Sequence, residues 1–337
     1  MGDTMKVILT HSDADGVCAG AIAYSRYPDA EIKITRPSSL LNDLKSLGNN
    51  DKIEKIIILD ISIDENDAKS ILNYLNNFCS RGIEVIYIDH HPLPSLLCGK
   101  LPEYLISDTS KSATELSYEY FKNQEMIFVA LYGAIGDYFD NTEFVQNTLK
   151  DFDKRSIYFE AGLLTLALSE LQGYDIRKEI IKRLALGVQP CEMNDVVESA
   201  IRAEQIGTHT YFYSKKNVKR CGQISYVLDV PTSAVAQVAM IAAREGGTLV
   251  GIGARTCGEE YEMSLRRRSE DVDLNRLLRE VAPTVGGRGG GHAAAAGASI
   301  PKSSWELFLK RLNDSIERQL ERVVKKNMQQ TQPECKD

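Results

Sequence analysis

Val7-Ile8-Leu9-Thr10-His11-Ser12-Asp13-Ala14-Asp15-Gly16 places a continuous apolar run directly before a cluster of ionisable side chains. The same pattern returns twice. Ile56-Ile57-Ile58-Leu59 leads into Asp60, and Val85-Ile86-Tyr87-Ile88 leads into Asp89-His90-His91. Short runs that are β-branched and apolar throughout read as parallel strands buried on both faces. Ligands of open α/β sheets collect outside the carboxyl ends of such strands. The three strand ends therefore bring up to four carboxylates and three imidazoles to one crevice. Like charges at short range disfavour one another's ionisation, and divalent cations are the natural compensation. Hard oxygen donors with a few imidazoles suit manganese, magnesium or iron better than a thiolate-seeking metal.

The segments between these strands read as helices near 17–24, 40–47 and 67–80, with a short strand near 32–35. Gly48 and Gly82 stand where two of the helices should stop. This alternation predicts an α/β protein whose N-terminal domain, 1–150, is a doubly wound parallel sheet. Ser112 and Glu115 have the spacing of a capping box and should open a helix to about 121. Its N-terminus would bind an anion if it faced the crevice. The next helix, from about 126, carries small residues before Gly136-Asp137 that permit close backbone approach. Residues 151–205 read as helices only, a connector. Beyond it, strands near 211, 224–228, 248–254 and 261–266 interleave with helices near 233–244 and 274–281. They predict a smaller α/β domain with a mixed sheet over 206–325, closed by a helix near 304–324. Residues 326–337 read as a flexible tail.

At 337 residues the chain is long enough for two domains, and 43% hydrophobic with 26% charged residues is ordinary globular composition. No apolar stretch approaches the ~20 residues that span a bilayer, so no membrane association is expected. The first residues run straight into a strand, unlike a signal peptide. Seven cysteines, an odd number without a Cys-x-x-Cys pair, fit reduced thiols and a cytoplasmic location. Cys18 reads as a small packing residue. The net charge of −7 offers no long basic track, so any nucleic-acid contact should be short and local.

Alternate residues leaving a strand project to one side, so His11, Asp13 and Asp15 can approach a metal pair while Gly16 permits the turn into the helix. Adjacent His90 and His91 point to opposite sides: one can ligate metal and the other can meet substrate. Asp89 would hold an imidazole ring in its useful tautomer. Far along the chain, Gly286-Gly287-Arg288-Gly289-Gly290-Gly291-His292 lacks the context of a Rossmann or Walker loop. Bare glycine amides make an anion-binding nest, to which Arg288 and His292 would add charged donors. Arg266 and Arg268 share one strand face, and one of them at most should contact a ligand.

Taken together, these motifs resemble the DHH phosphoesterase superfamily, in the RecJ-like and nanoRNase-like branch with a glycine-rich DHH-associated C-terminal domain. Residues 11–16, the Asp60 strand end, Asp89-His90-His91 and Gly136-Asp137 are similar to its four N-terminal motifs in order. Residues 289–297 match its Gly-Gly-Gly-His-x-x-Ala-Ala-Gly signature. The resemblance implies two manganese ions per site, with magnesium or cobalt as substitutes, held by Asp13, Asp15, Asp60, His90 and Asp137 together with His11. RecJ-type members carry aspartate at the position of His11. Asp60 would bridge the metals, and Asp89 and His91 would be catalytic, with His91 meeting the substrate phosphate. Arg266, Arg288, Gly289, Gly290, Gly291 and His292 would grip nucleotide. The implied activity is hydrolysis of short single-stranded RNA or DNA oligonucleotides by a metal-activated water, with a homodimer left open. The alternatives are a 3′-phosphoadenosine 5′-phosphate phosphatase, a linear or cyclic dinucleotide phosphodiesterase and, in another class, a non-catalytic replication-associated scaffold.

Overall fold

The structure, a computed structural model, describes residues 4–97, 99, 101–230 and 234–330. Two compact units divide the chain, Met1–Glu204 and Gln205–Asp337. The first opens with β1 (Met5–Thr10), α1 (Ala14–Arg26), β2 (Glu31–Ile34), α2 (Pro37–Gly48), β3 (Ile53–Leu59), α3 (Ala68–Ser80), β4 (Glu84–Asp89), β5 (Leu105–Ser107), α4 (Ala113–Phe121) and α5 (Ile127–Gly136). The five strands form one sheet in the order β2-β1-β3-β4-β5, with every pairing parallel.

Period-two alternation sorts the apolar runs onto two faces. Val7, Leu9, Ile56 and Ile58 pack with Leu40 and Leu44 of α2 and Ile71, Leu75 and Phe78 of α3. Ile8, Ile57, Leu59, Ile86 and Ile88 pack on the opposite face with Ala19 and Ala23 of α1 and Leu116 of α4. Each such fully buried side chain contributes about 1.5–3 kcal/mol, which offsets the cost of crowding carboxylates at the strand ends. The register then sets the site. Thr10 pairs with Leu59, and Leu59 pairs with Ile88. One residue further on, His11, Asp60 and Asp89 emerge side by side. They do so where the strand order turns from β2-β1 to β3-β4, the switch point at which open α/β sheets form a crevice.

After α5 come α6 (Glu143–Thr148), α7 (Lys154–Glu170), α8 (Tyr174–Ala185) and α9 (Asn194–Asn217). Residues 151–204, read above as a connector, form a packed layer of the first unit. Ile157, Ala161, Leu164, Leu168, Ile180, Ile181 and Leu184 share a core with Val17 and Ile22 of α1 and with Leu131 and Ala134 of α5. Apolar residues at 157, 161, 164 and 168 make one helical stripe, which is stable only when covered.

The second unit continues with β6 (Lys219–Cys221), β7 (Ile224–Val227), α10 (Val235–Gly246), β8 (Val250–Cys257), β9 (Glu260–Arg267), α11 (Leu274–Val281), β10 (Arg288–Gly291), β11 (Ala295–Pro301) and α12 (Trp305–Gln330). Its sheet runs β10-β11-β9-β8-β7-β6, antiparallel except for β7 with β8, and so is mixed. Helix α10 lies directly on β8 because Gly251 and Gly253 have no side chain. A Cβ there would fall 1.9 Å from the Ala239 carbonyl oxygen and 2.2 Å from that of Val235. On the other face, Ile252, Leu265 and Ile300 pack with Leu277 and Leu278 of α11 and with Phe308 and Leu312 of α12.

Three local readings change. The strand expected near 211 lies within α9. There Thr210 and Ser214 are buried four residues apart, and the Ser214 hydroxyl donates to the Thr210 carbonyl at 2.7 Å. Burial at helical spacing has overridden the strand preference of the Tyr-Phe-Tyr run. Helix α12 reaches Gln330, so the expected tail is helical over 326–330, and 331–337 lie outside the described residues. Ser233, where a helix was expected to start, also lies outside them, and α10 begins at Val235. No helix among the described residues is long and apolar enough to cross a membrane. The described cysteines are all free, and Cys18 is fully buried.

Candidate metal centre

The turn out of β1 is tight because Gly16 sits against His11. A Cβ on Gly16 would lie 2.7 Å from that of His11. Asp13 caps α1 by accepting the Gly16 N–H at 3.1 Å, and His11 Nδ1 stands 2.8 Å from its other carboxylate oxygen. Burial raises the Asp13 pKa, but the neighbouring His11 and the Gly16 amide outweigh it and bring it down to about 2. Asp15, in the first turn of α1, points the other way. Its two oxygens accept the Ala113 and Thr114 N–H groups, each at 2.8 Å, while the Thr114 hydroxyl donates to the Asp15 carbonyl at 2.7 Å. The N-terminus of α4 is thus filled by the chain's own carboxylate rather than open to an external anion. The capping box is half made. Ser112 accepts the Glu115 N–H at 3.1 Å, whereas the Glu115 carboxylate lies toward Lys111, 4.0 Å away.

Asp60, directly after β3, has a left-handed backbone, φ +56°. A non-glycine residue adopts that region at a cost, and such outliers gather at functional sites. Its side chain is buried, and Oδ2 has no hydrogen-bond partner. Burial pushes its carboxyl well above the ordinary range, and Asp15, Asp13 and Asp89 push it further. A buried carboxylate oxygen without a partner, set among like charges, is suited to ligate a cation.

His90 gathers the rest. Its Nε2 lies 3.3 Å from Asp60 Oδ1, 3.5 Å from Asp137 Oδ2 and 3.6 Å from Asp15 Oδ2. Phe139 packs edge-on against its ring, with centroids 5.1 Å apart. Asp137 arrives from the C-terminus of α5, which approaches α1 and α4 closely. A Cβ on Gly133 would fall 2.2 Å from the Thr114 hydroxyl, and one on Gly136 would fall 2.7 Å from the Ala14 Cβ. The Asp137 pKa rises to about 6, through burial and then Asp15, with His90 pulling against them. His91 does not point to the opposite side as expected: its ring centroid lies 4.5 Å from that of His90, and its Nδ1 lies 3.9 Å from Asp60 Oδ1. Its Nδ1 bonds Asp89 Oδ1 at 2.8 Å, so Asp89 orients this imidazole and leaves Nε2 as the nitrogen available to a ligand. That bond raises the His91 pKa against the opposing effect of burial.

Three overlapping groups have donor atoms close enough to share an ion: His11, Asp13 and Asp60; Asp15, His90 and Asp137; and Asp60, His90 and His91. The oxygen-rich donor set, with imidazole nitrogens and the orphaned Asp60 oxygen, fits a pair of hard divalent cations. A cleft of about 260 Å3 beside it is lined by Asp13, Asp15, Asp137, Thr165 and Arg177.

Arg177 of α8 escaped sequence reading. Its guanidinium donates to the carbonyls of Ser12 at 3.0 Å, Leu168 at 2.7 Å and Gly173 at 2.8 Å. It thereby pins the β1–α1 turn from 165 residues away, a link that no local pattern carries.

In the second unit, the glycines expected to form a nest are instead the edge strand β10. Gly289, Gly290 and Gly291 pair with Ala298, Gly297 and Ala296. Glycine suits this strand because α11 and β11 press on it. A Cβ on Gly289 would lie 3.1 Å from those of Leu278 and Ala298. Arg288 and His292 consequently stand at opposite ends, about 13 Å apart at ~3.3 Å per residue, and do not converge on one phosphate. Arg288 is exposed, 3.8 Å from Glu260. His292 opens the turn into β11, where its N–H donates to Ala295 at 2.8 Å. Arg266 pairs with Ala295 and donates to the Ser264 hydroxyl at 2.8 Å, at the His292 end of the sheet.

The N-terminal domain of the DHH family matches residues 6–137, and the DHHA1 domain matches 221–318. This chain belongs to the DHH superfamily, with a C-terminal DHHA1 domain. Among solved structures, exonuclease RecJ bound to manganese is similar to this DHH protein with a TM-score of 0.63 and 15% identity, over 94% of this chain and 91% of that one. The pGpG-specific phosphodiesterase PggH from Vibrio cholerae gives 0.59 and 14%, over 94% and 100%. CDC45 from Entamoeba histolytica gives 0.60 and 10%, over 93% and 95%. At these identities the likeness is one of fold. No curated protein matches the DHH chain in sequence.

Proposed function

We propose that this DHH protein is a cytoplasmic, manganese-dependent phosphodiesterase that hydrolyses short single-stranded oligonucleotides. The observation that carries the reading is the three overlapping donor groups drawn from His11, Asp13, Asp15, Asp60, His90, His91 and Asp137, with a partnerless Asp60 oxygen among them. Of these, His11, Asp13, Asp15, Asp60, His90 and Asp137 would hold the metals, and divalent cations bound there would supply an activated water and a positive clamp for phosphate oxygens. Asp89 holds the His91 ring through Nδ1 and leaves Nε2 to meet a phosphate oxygen of the substrate. Within the second unit, Arg266 and His292 stand at one end of the sheet and Arg288 at the other, separate charged donors for further phosphates. PggH is described as a phosphodiesterase specific for pGpG, which favours a dinucleotide as the second reading. The full donor set speaks against a non-catalytic scaffold. Incubating the protein with manganese and a ladder of 5′-labelled RNA and DNA oligonucleotides tests the reading. Release of mononucleotides from the shortest rungs is expected, and intact ladders would overturn it.

A further inference from the structure

Directly after Asp137, Tyr138 has φ +63° and is 90% exposed. It occupies the left-handed position beyond the end of α5. Its N–H bonds the Ile135 carbonyl at 3.2 Å, and the next N–H, of Phe139, bonds that of Ala134 at 2.8 Å. This is the helix stop that glycine normally makes, since glycine carries no Cβ penalty there. The chain instead places a bulky aromatic side chain in the strained position and leaves the ring in water. Neither the ring nor the hydroxyl of Tyr138 has a partner among the described residues. Its neighbours, by contrast, are engaged: Asp137 lies 3.5 Å from His90, and Phe139 packs on the His90 ring. The backbone on either side is therefore fixed, while the exposed ring projects from a point one residue from the candidate metal centre. Strain retained for a side chain that does nothing for the fold points to a ligand.

We infer that Tyr138 is a stacking platform for the nucleobase next to the scissile phosphate. The inference rests on the phosphodiesterase reading and specifies the substrate further, as one that must carry a base and not merely a phosphodiester. Base–aromatic stacking tolerates any base, because every base has a π-face. The site would thus favour nucleotides over other phosphodiesters without selecting a sequence.

The test compares the full chain with Tyr138→Gly and Tyr138→Phe, loaded with manganese, on a dinucleotide and on its abasic counterpart. Tyr138→Gly should raise KM for the dinucleotide about tenfold, change kcat little, and leave KM for the abasic substrate where it was. Tyr138→Phe keeps the ring and should keep the low KM. The melting temperature of Tyr138→Gly should equal or exceed that of wild type, because glycine relieves the left-handed backbone. Equal KM values for Tyr138→Gly and wild type on the dinucleotide would overturn the platform, as would the same loss on both substrates. A wild type that cleaves neither substrate would overturn the phosphodiesterase reading, and the platform would fall with it.

Discussion

His90 and Asp60 share the burden of the centre, but Asp137 offers the clearest test at the scale of one residue. A carboxyl whose pKa rises on folding binds its proton more tightly in the native than in the unfolded chain. Native stability therefore falls as pH rises through the window from about 4, the unfolded value, to about 6, the folded one. Asp137→Asn removes this penalty. Without metal, the variant should be more stable than wild type at pH 7.5 by about 1 kcal/mol, a figure discounted because the side chain is one-third exposed. At pH 4 the gap should close. Thermal melts in chelator at the two pH values check it, and equal gaps at both would contradict the assignment. Arg177 makes a second case. A lysine cannot reach three carbonyls, so both Arg177→Lys and Arg177→Ala should loosen the Ser12–Asp13 turn. Manganese affinity should weaken about tenfold or more, as when a group supporting a ligand is lost. Calorimetric titration measures this directly, and unchanged affinity would reduce Arg177 to a packing residue.

Among elements, the junction of α5 with α1 and α4 decides how Asp137 reaches the site. Gly133→Ala would drive a methyl group into Thr114 and Cys18, and Thr114 is also a partner of Asp15. Overpacking of this kind costs about 1–3 kcal/mol. The melting temperature should fall, and metal affinity with it, whereas alanine at Gly162, which meets nothing within 4 Å, should do neither. The parallel sheet and the ends of β1, β3 and β4 are legible in sequence because runs buried on both faces cannot read as anything amphipathic. Asp137 becomes meaningful only through resemblance, since its spacing alone distinguishes it from no other helical carboxylate. Two features are illegible for a physical reason. The glycine run satisfies the composition of a nest, and only pairing with β11 reveals a strand. Likewise, the apolar stripe of α7 shows that it must be covered but not that α1 and α5 cover it.

For the whole molecule, charge and composition limit the substrate. With a net charge of −7 and so no basic track for a long strand, the proposed phosphodiesterase should prefer roughly two to five nucleotides and release its product after each cut. Few phosphates would be neutralised, so affinity should fall less than about tenfold between roughly 50 and 200 mM salt. Stopped-time assays on a long single strand would contradict this by showing processive shortening. The central claim is that the strand-end carboxylates hold a catalytic metal pair. Titrating metal-free protein with manganese, while following dinucleotide hydrolysis, tests it most directly. Wild type should bind two ions per chain and become active as they load. Asp60→Asn, which tolerates the left-handed backbone but loses the charge, should bind fewer ions, hydrolyse nothing and melt no lower without metal. Two ions bound and normal turnover in Asp60→Asn, or no manganese bound by wild type, would contradict the account.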